Sequence, residues 1–133
     1  KVQDVKRIFG NIEDIKNLSV EFLERLKFEL DVGGDMDLSK LNANVSIADV
    51  FTEFTPKFSI YKEYSENFPF ATQTLKQRAK TSPNWKIYTG ILQQHPLFQN
   101  QCLESFLIMP IQRLPRYVLL LRDLKKNTPQ YDE

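Results

Sequence analysis

The strongest constraint on this sequence is the segment 105–127, in which apolar residues recur at helical spacing. At about 100° per residue, the apolar residues of this segment and of Leu103 before it fall on one broad face. That pattern predicts a helix packed against a core. The residues on this face are Leu103, Phe106, Leu107, Pro110, Leu114, Tyr117, Val118, Leu121 and Leu124.

A second stripe runs along the opposite side of the same predicted helix and mixes apolar with polar residues. Its members are Ser105, Ile108, Gln112, Arg116, Leu119 and Asp123. A surface that only meets water rarely carries an isoleucine and a leucine beside a central amide and guanidinium. The mixture favours a docking surface, with the solvated side of an ordinary kinked core helix as the alternative.

Two prolines, Pro110 and Pro115, lie inside the segment. Each removes a backbone donor, at a cost of about 3 kcal/mol in a helix interior. Only one of them can lie in the first turn, if the regular helix begins near Pro110. We therefore expect the other to bend the helix or to lie in a distorted turn.

The remaining chain predicts further helices and no strands, since strand-like alternation bounded by turns is absent from the sequence. We expect a loop over 31–45 and helices over residues 4–9, 12–30, 47–54, 56–80 and 83–94. Asn11, Thr55 and Ser82 are the expected N-caps, and Pro69 should bend or split the fourth of these helices. The expected buried face of the fifth is Trp85, Tyr88, Ile91 and Leu92. The fold class is all-α, an elongated bundle of about five or six helices.

Composition excludes several classes of function. With 18 basic and 17 acidic residues, the net charge of +1 is too balanced for a nucleic-acid-binding surface. The sequence shows no membrane span and no signal peptide, and its single cysteine, Cys102, fits a reducing compartment. Cys102 and His95 would form a nucleophile pair only if they met, and a helix-end histidine with a half-buried thiol is the favoured interpretation. We expect no cofactor and no metal site.

The segment 105–127 resembles the third conserved region of the Dbl-homology domain, the catalytic module of Rho-family guanine nucleotide exchange factors. The resemblance rests on Pro110-Ile111-Gln112-Arg113, Pro115-Arg116-Tyr117 and Leu119-Leu120-Leu121, in this order and spacing. Residues 4–15 and 47–64 are similar to segments near the family's first and second conserved regions. The resemblance thus spans nearly all of residues 1–133. It implies one such domain that lacks most of the first and all of the last family helix.

The resemblance implies a function without covalent chemistry, so the chain is not expected to be an enzyme in the covalent sense. An exchange factor holds the nucleotide-free GTPase more tightly than the nucleotide-bound form. The helix would pack against both switch regions of a Rho-family small GTPase, displace its magnesium and release GDP. Gln112 and Arg116 match family positions that contact the GTPase near its second switch. Ile108 and Ile111 match apolar positions beside them, and Leu119 and Asp123 extend the stripe.

Departures from the family pattern leave other interpretations open. The first-region glutamate and the last helix have no counterpart here, so weak binding or none is expected of this segment alone. The alternatives are a helical scaffold or self-association module that uses the same surface, and a hydrolase that uses Cys102. A second copy could cover exposed apolar faces in a domain-swapped or helix-exchanged oligomer. We expect a cytoplasmic protein, recruited to membrane or cytoskeleton through a pleckstrin-homology domain outside this sequence.

Overall fold

The computed structural model describes residues 2–30 and 47–128, and in these ranges it contains helices and turns without any strand. The predicted all-α class is therefore confirmed. The predicted loop over 31–45 lies outside the described residues. The α-helices are α1 (Val2–Phe9), α2 (Ile12–Glu29), α3 (Ile47–Phe54), α4 (Ile60–Thr81), α5 (Pro83–Gln94), α6 (Leu103–Leu107) and α7 (Met109–Asn127). None of these helices combines the length and apolarity needed to cross a bilayer.

The chain divides into two compact units, one of them Asn11–Glu63. Its core follows from the helical spacing of apolar residues in α2, where the side chains three and four positions apart share one face. Phe22 is central: its ring centroid lies 5.0 Å from those of Phe51 and Phe54 and 5.5 Å from that of Phe58. The buried residues of this unit are Ile15, Leu18, Phe22, Val50, Phe54 and Tyr61.

Two of the predicted caps in this unit are wrong in their bonding. Asn11 does precede α2, but its side chain makes no cap bond and its amide donates instead to the Ile60 carbonyl, at 3.0 Å. The Thr55 hydroxyl donates to the Phe51 carbonyl of the preceding helix, at 2.7 Å. A 3-10 segment, Thr55–Ser59, therefore comes between α3 and α4. The acceptor of Thr55 is the local carbonyl four residues earlier, which competes with capping, whereas the acceptor of Asn11 is 49 positions away.

The second unit comprises Lys1–Gly10 and Tyr64–Glu133. Gly10 ends α1 with φ +53°, a conformation that glycine adopts without strain. The Tyr64 hydroxyl donates to the Leu107 carbonyl at 2.7 Å, a bond between two fully packed residues. The helix α4 continues through Pro69, so the predicted split does not occur. The buried residues of this unit are Ile8, Tyr64, Ala71, Thr74, Leu75 and Leu107.

Helix α5 begins as predicted, because the Ser82 hydroxyl accepts a hydrogen bond from the Trp85 amide at 3.3 Å. Its predicted buried face is partly wrong. Tyr88 is 55% exposed and Ile91 62% exposed, whereas Trp85 and Leu92 are half-buried. The inward side of the helix is thus rotated away from its most apolar side. Periodicity finds the apolar side of a helix but not whether another element covers it.

The predicted helix over 105–127 is interrupted at Ile108, between α6 and α7. Pro110 explains the interruption, because it has no N–H to donate to the Phe106 carbonyl four residues earlier. Ile108 keeps helical dihedral angles, φ −80° and ψ −18°, so the chain continues in nearly the same course. Pro110 lies in the first turn of α7, as predicted, and Pro115 lies inside that helix.

The core face predicted for this segment is only partly confirmed. Leu107 is buried, but in α7, which is described throughout, no residue is fully buried. Val118 and Leu124 are exposed, contrary to the prediction. The other predicted core residues are half-buried, namely Leu103, Phe106, Pro110, Leu114, Tyr117 and Leu121. Helix α7 therefore lies against its unit along one edge and leaves much of its apolar surface outside.

Candidate functional site

The polar centre of the predicted stripe lies on the exposed side of α7. Ile108, Gln112 and Arg116 follow one another at intervals of one helical turn. The backbone N–H of Gln112 donates to the Ile108 carbonyl at 3.2 Å. The Gln112 and Arg116 side chains are exposed, and an Arg116 Nη2 to Gln112 Oε1 contact of 3.5 Å joins them. This long contact uses one of the five guanidinium N–H donors. The pair can therefore donate several further hydrogen bonds to a partner.

Apolar side chains surround this polar pair. Ile108 and Ile111 are half-buried, while Leu119 is 57% exposed and Asp123 is exposed one turn beyond it. The neighbouring large apolar side chains that are also exposed are Met109, Val118 and Leu120. All six predicted site residues thus lie on or beside the outward side of one helical path. A concentration of exposed apolar residues on one surface is typical of a binding surface.

The charged residues of α7 are mostly basic. Asp123 is its only acidic residue, against five basic residues, Arg113, Arg116, Arg122, Lys125 and Lys126. Such a helix attracts an acidic partner surface and increases the rate of encounter with it. Because these side chains are exposed, salt should screen that attraction.

One local interaction of the site was not predicted. Arg113 Nε donates to the Tyr117 hydroxyl oxygen at 2.9 Å, and the guanidinium carbon lies 5.2 Å from the centroid of the Tyr117 ring. Tyr117 was predicted to lie on the core face, and no contact was predicted for Arg113. The sequence feature that could have predicted this contact is the spacing of four residues between an arginine and an aromatic residue, because side chains at that spacing are neighbours on a helix.

The Cys102 and His95 side chains have other contacts within the described part of the chain. The Cys102 sulfur lies 3.2 Å from the Ser105 hydroxyl oxygen, and His95 Nδ1 accepts from the Leu97 amide at 3.3 Å. Neither contact joins the thiol to the imidazole, so this arrangement gives no geometric support for a nucleophile pair. Among the described residues, no group of three or more His, Cys, Asp or Glu side chains is placed to hold a metal ion.

A family model for the RhoGEF domain matches residues 1–133. The chain belongs to the RhoGEF domain family. This RhoGEF chain is 32% identical over 130 residues to Rac guanine nucleotide exchange factor JJ of Dictyostelium discoideum, a match that covers 98% of the chain and 10% of that protein. It is 32% identical over 127 residues to human protein ECT2, with 95% of the chain and 13% of that protein covered.

A solved structure agrees with the family assignment. A structure of the Vav1 exchange factor, described for the structural role of its PH and C1 domains, matches the RhoGEF chain with a TM-score of 0.84 and 28% identity. The match covers 98% of this chain and 33% of that one. The helical arrangement expected from the resemblance to Dbl-homology domains is thereby confirmed. The RhoGEF chain spans only about a tenth of the length of the curated relatives named above.

Proposed function

We propose that this chain promotes GDP release from a Rho-family small GTPase and stabilises the nucleotide-free form. The observation that carries the proposal is the joint exposure of Gln112 and Arg116 on α7. Membership of the RhoGEF family supports it, and the resemblance to the Dbl-homology domain implies that these two residues correspond to positions that contact the GTPase. On this proposal α7 packs against the two switch regions of the GTPase and displaces its magnesium.

The side chains of the site suit this task without any covalent step. Arg116 supplies charge-assisted hydrogen bonds, and the Gln112 amide can both donate and accept. Exchange is accelerated when such contacts form more favourably with the nucleotide-free GTPase than with the nucleotide-bound one. A contact that is equally strong with both forms would hold the partner without releasing its nucleotide.

The remaining site residues are proposed to set affinity and orientation. Ile108 and Ile111, already half-buried, would complete an apolar contact beside the polar pair. Leu119 is more than half exposed, so covering it would contribute on the order of 1–2 kcal/mol. Asp123 is the one acid of a basic helix, and pairing it with a basic partner residue would favour some GTPases over others.

A pull-down with defined nucleotide states separates exchange from mere binding. The full-length protein that carries this chain is incubated with Rho-family GTPases loaded with GDP, loaded with a GTP analogue, or stripped with EDTA. An exchange factor should retain the stripped form preferentially. Equal retention of all three nucleotide states would favour the scaffold alternative. Capture of a second, untagged copy of the protein without any GTPase would favour self-association.

A pair of matched variants tests the residues. Gln112→Ala with Arg116→Asp should abolish retention of the stripped GTPase while the helical circular dichroism is unchanged. The control is Gln73→Ala with Lys76→Asp, which makes a comparable change of size and charge at exposed positions of α4. The control should retain the stripped GTPase as the parent does. Equal retention by the site variant and the parent would contradict the assignment of these residues.

A further inference from the structure

Helix α7 lacks one backbone hydrogen bond in the middle of the candidate site. Pro115 lies inside the helix and has no N–H to donate to the Ile111 carbonyl. A turn without its hydrogen bond is the usual point at which a helix bends. Gln112 ends the part of the stripe before this turn and Arg116 begins the part after it, so the bend sets the angle at which the two parts meet.

The Arg113–Tyr117 bridge spans the same turn. The two residues lie two positions before and two positions after Pro115, and they are joined by the 2.9 Å hydrogen bond and the contact of guanidinium with ring. At about 100° per residue, the bridge lies roughly opposite the missing bond between residues 111 and 115. Bending at Pro115 opens one side of the helix and closes the other, so it changes the separation of Arg113 and Tyr117. A bond between these two side chains therefore restrains the bend.

We propose that Arg113 and Tyr117 are positioning residues that fix, across Pro115, the angle between the part of the stripe that ends at Gln112 and the part that begins at Arg116. The bridge restrains, from the opposite side of the helix, the bend that the missing backbone bond permits. Its effect on nucleotide exchange rests on the proposed function, whereas its effect on α7 does not. An ordinary surface pair would stabilise the helix without regard to the residue at position 115, and this difference can be measured.

The test is a double-mutant cycle between Tyr117→Phe and Pro115→Ala in the full-length protein. Tyr117→Phe removes the hydroxyl and keeps the ring, and Pro115→Ala restores the backbone donor to the Ile111 carbonyl. With Pro115 present, Tyr117→Phe should lower kcat/KM for nucleotide release about fivefold, the effect of losing one hydrogen bond. With alanine at position 115, the same change should lower it by less than about twofold. The matched control is Tyr88→Phe on α5, which should leave the rate unchanged.

Amide hydrogen exchange of the free protein provides a readout that needs no GTPase. Tyr117→Phe should increase exchange about fivefold at the amides of residues 112–114 and 116–119 when Pro115 is present, and much less when it is replaced. Equal effects of Tyr117→Phe in the two backgrounds, in both assays, would overturn the proposal and indicate an ordinary surface pair that stabilises the helix whatever residue lies at position 115. If the amides respond as expected but the parent releases no nucleotide from any Rho-family GTPase, the proposed function fails while the restraint on α7 stands. If the parent releases nucleotide but Tyr117→Phe does not change amide exchange in α7, the restraint is refuted while the proposed function stands.

Discussion

Replacing Tyr64 with phenylalanine tests the buried hydrogen bond that joins α4 to α6. Tyr64 is 2% exposed and Leu107 is 1% exposed, and the Tyr64 hydroxyl donates to the Leu107 carbonyl at 2.7 Å. Tyr64→Phe keeps the ring and removes this bond. At neutral pH the free energy of unfolding should fall by about 1 kcal/mol, the typical net contribution of one such bond.

The same substitution should have the opposite effect in strong alkali. Burial raises the pKa of Tyr64 from 10.0 to about 12. Below pH 10 its contribution to stability is fully present. Between pH 10 and pH 12 the unfolded chain loses the phenolic proton while the folded chain keeps it, so the parent loses stability on the order of 3 kcal/mol. The phenylalanine variant has no such group, and it should become the more stable of the two above about pH 11.

Urea unfolding followed by circular dichroism, at pH 7 and at steps from pH 9 to pH 12, measures this crossing. All other residues are the same in parent and variant, so their contributions cancel in the difference. Tyr88→Phe reports the effect of removing one exposed phenol. A stability difference that stays constant from pH 7 to pH 12 would refute the argument from burial. A difference of zero at pH 7 would refute the hydrogen bond.

Four further results are expected. Gly10→Ala should lower the free energy of unfolding by about 1–2 kcal/mol, because φ is +53° and the new Cβ would lie 3.3 Å from the Asn67 amide nitrogen. Gly90→Ala in α5 should raise the free energy of unfolding by about 0.5–1 kcal/mol, because the new Cβ would meet no atom of another element within 4 Å. The urea midpoints of the two glycine variants should therefore shift in opposite directions from that of the parent. Ser82→Ala should cost about 1 kcal/mol in the same assay, while Ser82→Asp retains a cap. Association with the GTPase should slow as salt rises from about 0.05 to 0.5 M, and a salt-independent rate in stopped flow would contradict the role given to the basic residues of α7.

The elements were predictable wherever local chemistry decides them. Helix α2 was predicted over 12–30 and spans Ile12–Glu29, and its buried residues Ile15, Leu18 and Phe22 recur at helical spacing. The Ser82 cap fixed the start of α5, because its hydroxyl and the Trp85 amide are close in sequence. Asn11 was different, since its amide bonds to the carbonyl of Ile60, 49 positions away. A partner so distant leaves no mark in the local sequence.

Burial was less predictable than helix formation. The spacing of apolar residues in α5 and α7 indicated one apolar side for each, but Tyr88, Ile91, Val118 and Leu124 are exposed. Whether an apolar side is covered depends on which elements pack against it, and spacing within one helix carries no such information.

The candidate site was predictable in part. The stripe containing Gln112 and Arg116 followed from angles on a helix, and both side chains are exposed as that pattern requires. The Arg113–Tyr117 bridge was missed because the tyrosine was counted by its apolar ring, not by its hydroxyl. A residue with an apolar body and a polar tip can serve a core edge and a surface bond together.

The most direct test of the central proposal is the release of fluorescent GDP from Rho-family GTPases, with excess unlabelled nucleotide and the full-length protein as catalyst. The parent and the Gln73→Ala, Lys76→Asp control should accelerate release from at least one GTPase to the same extent. The Gln112→Ala, Arg116→Asp variant should leave release at its spontaneous rate. Acceleration by this variant equal to that of the parent would contradict the proposal that α7 acts through these two side chains.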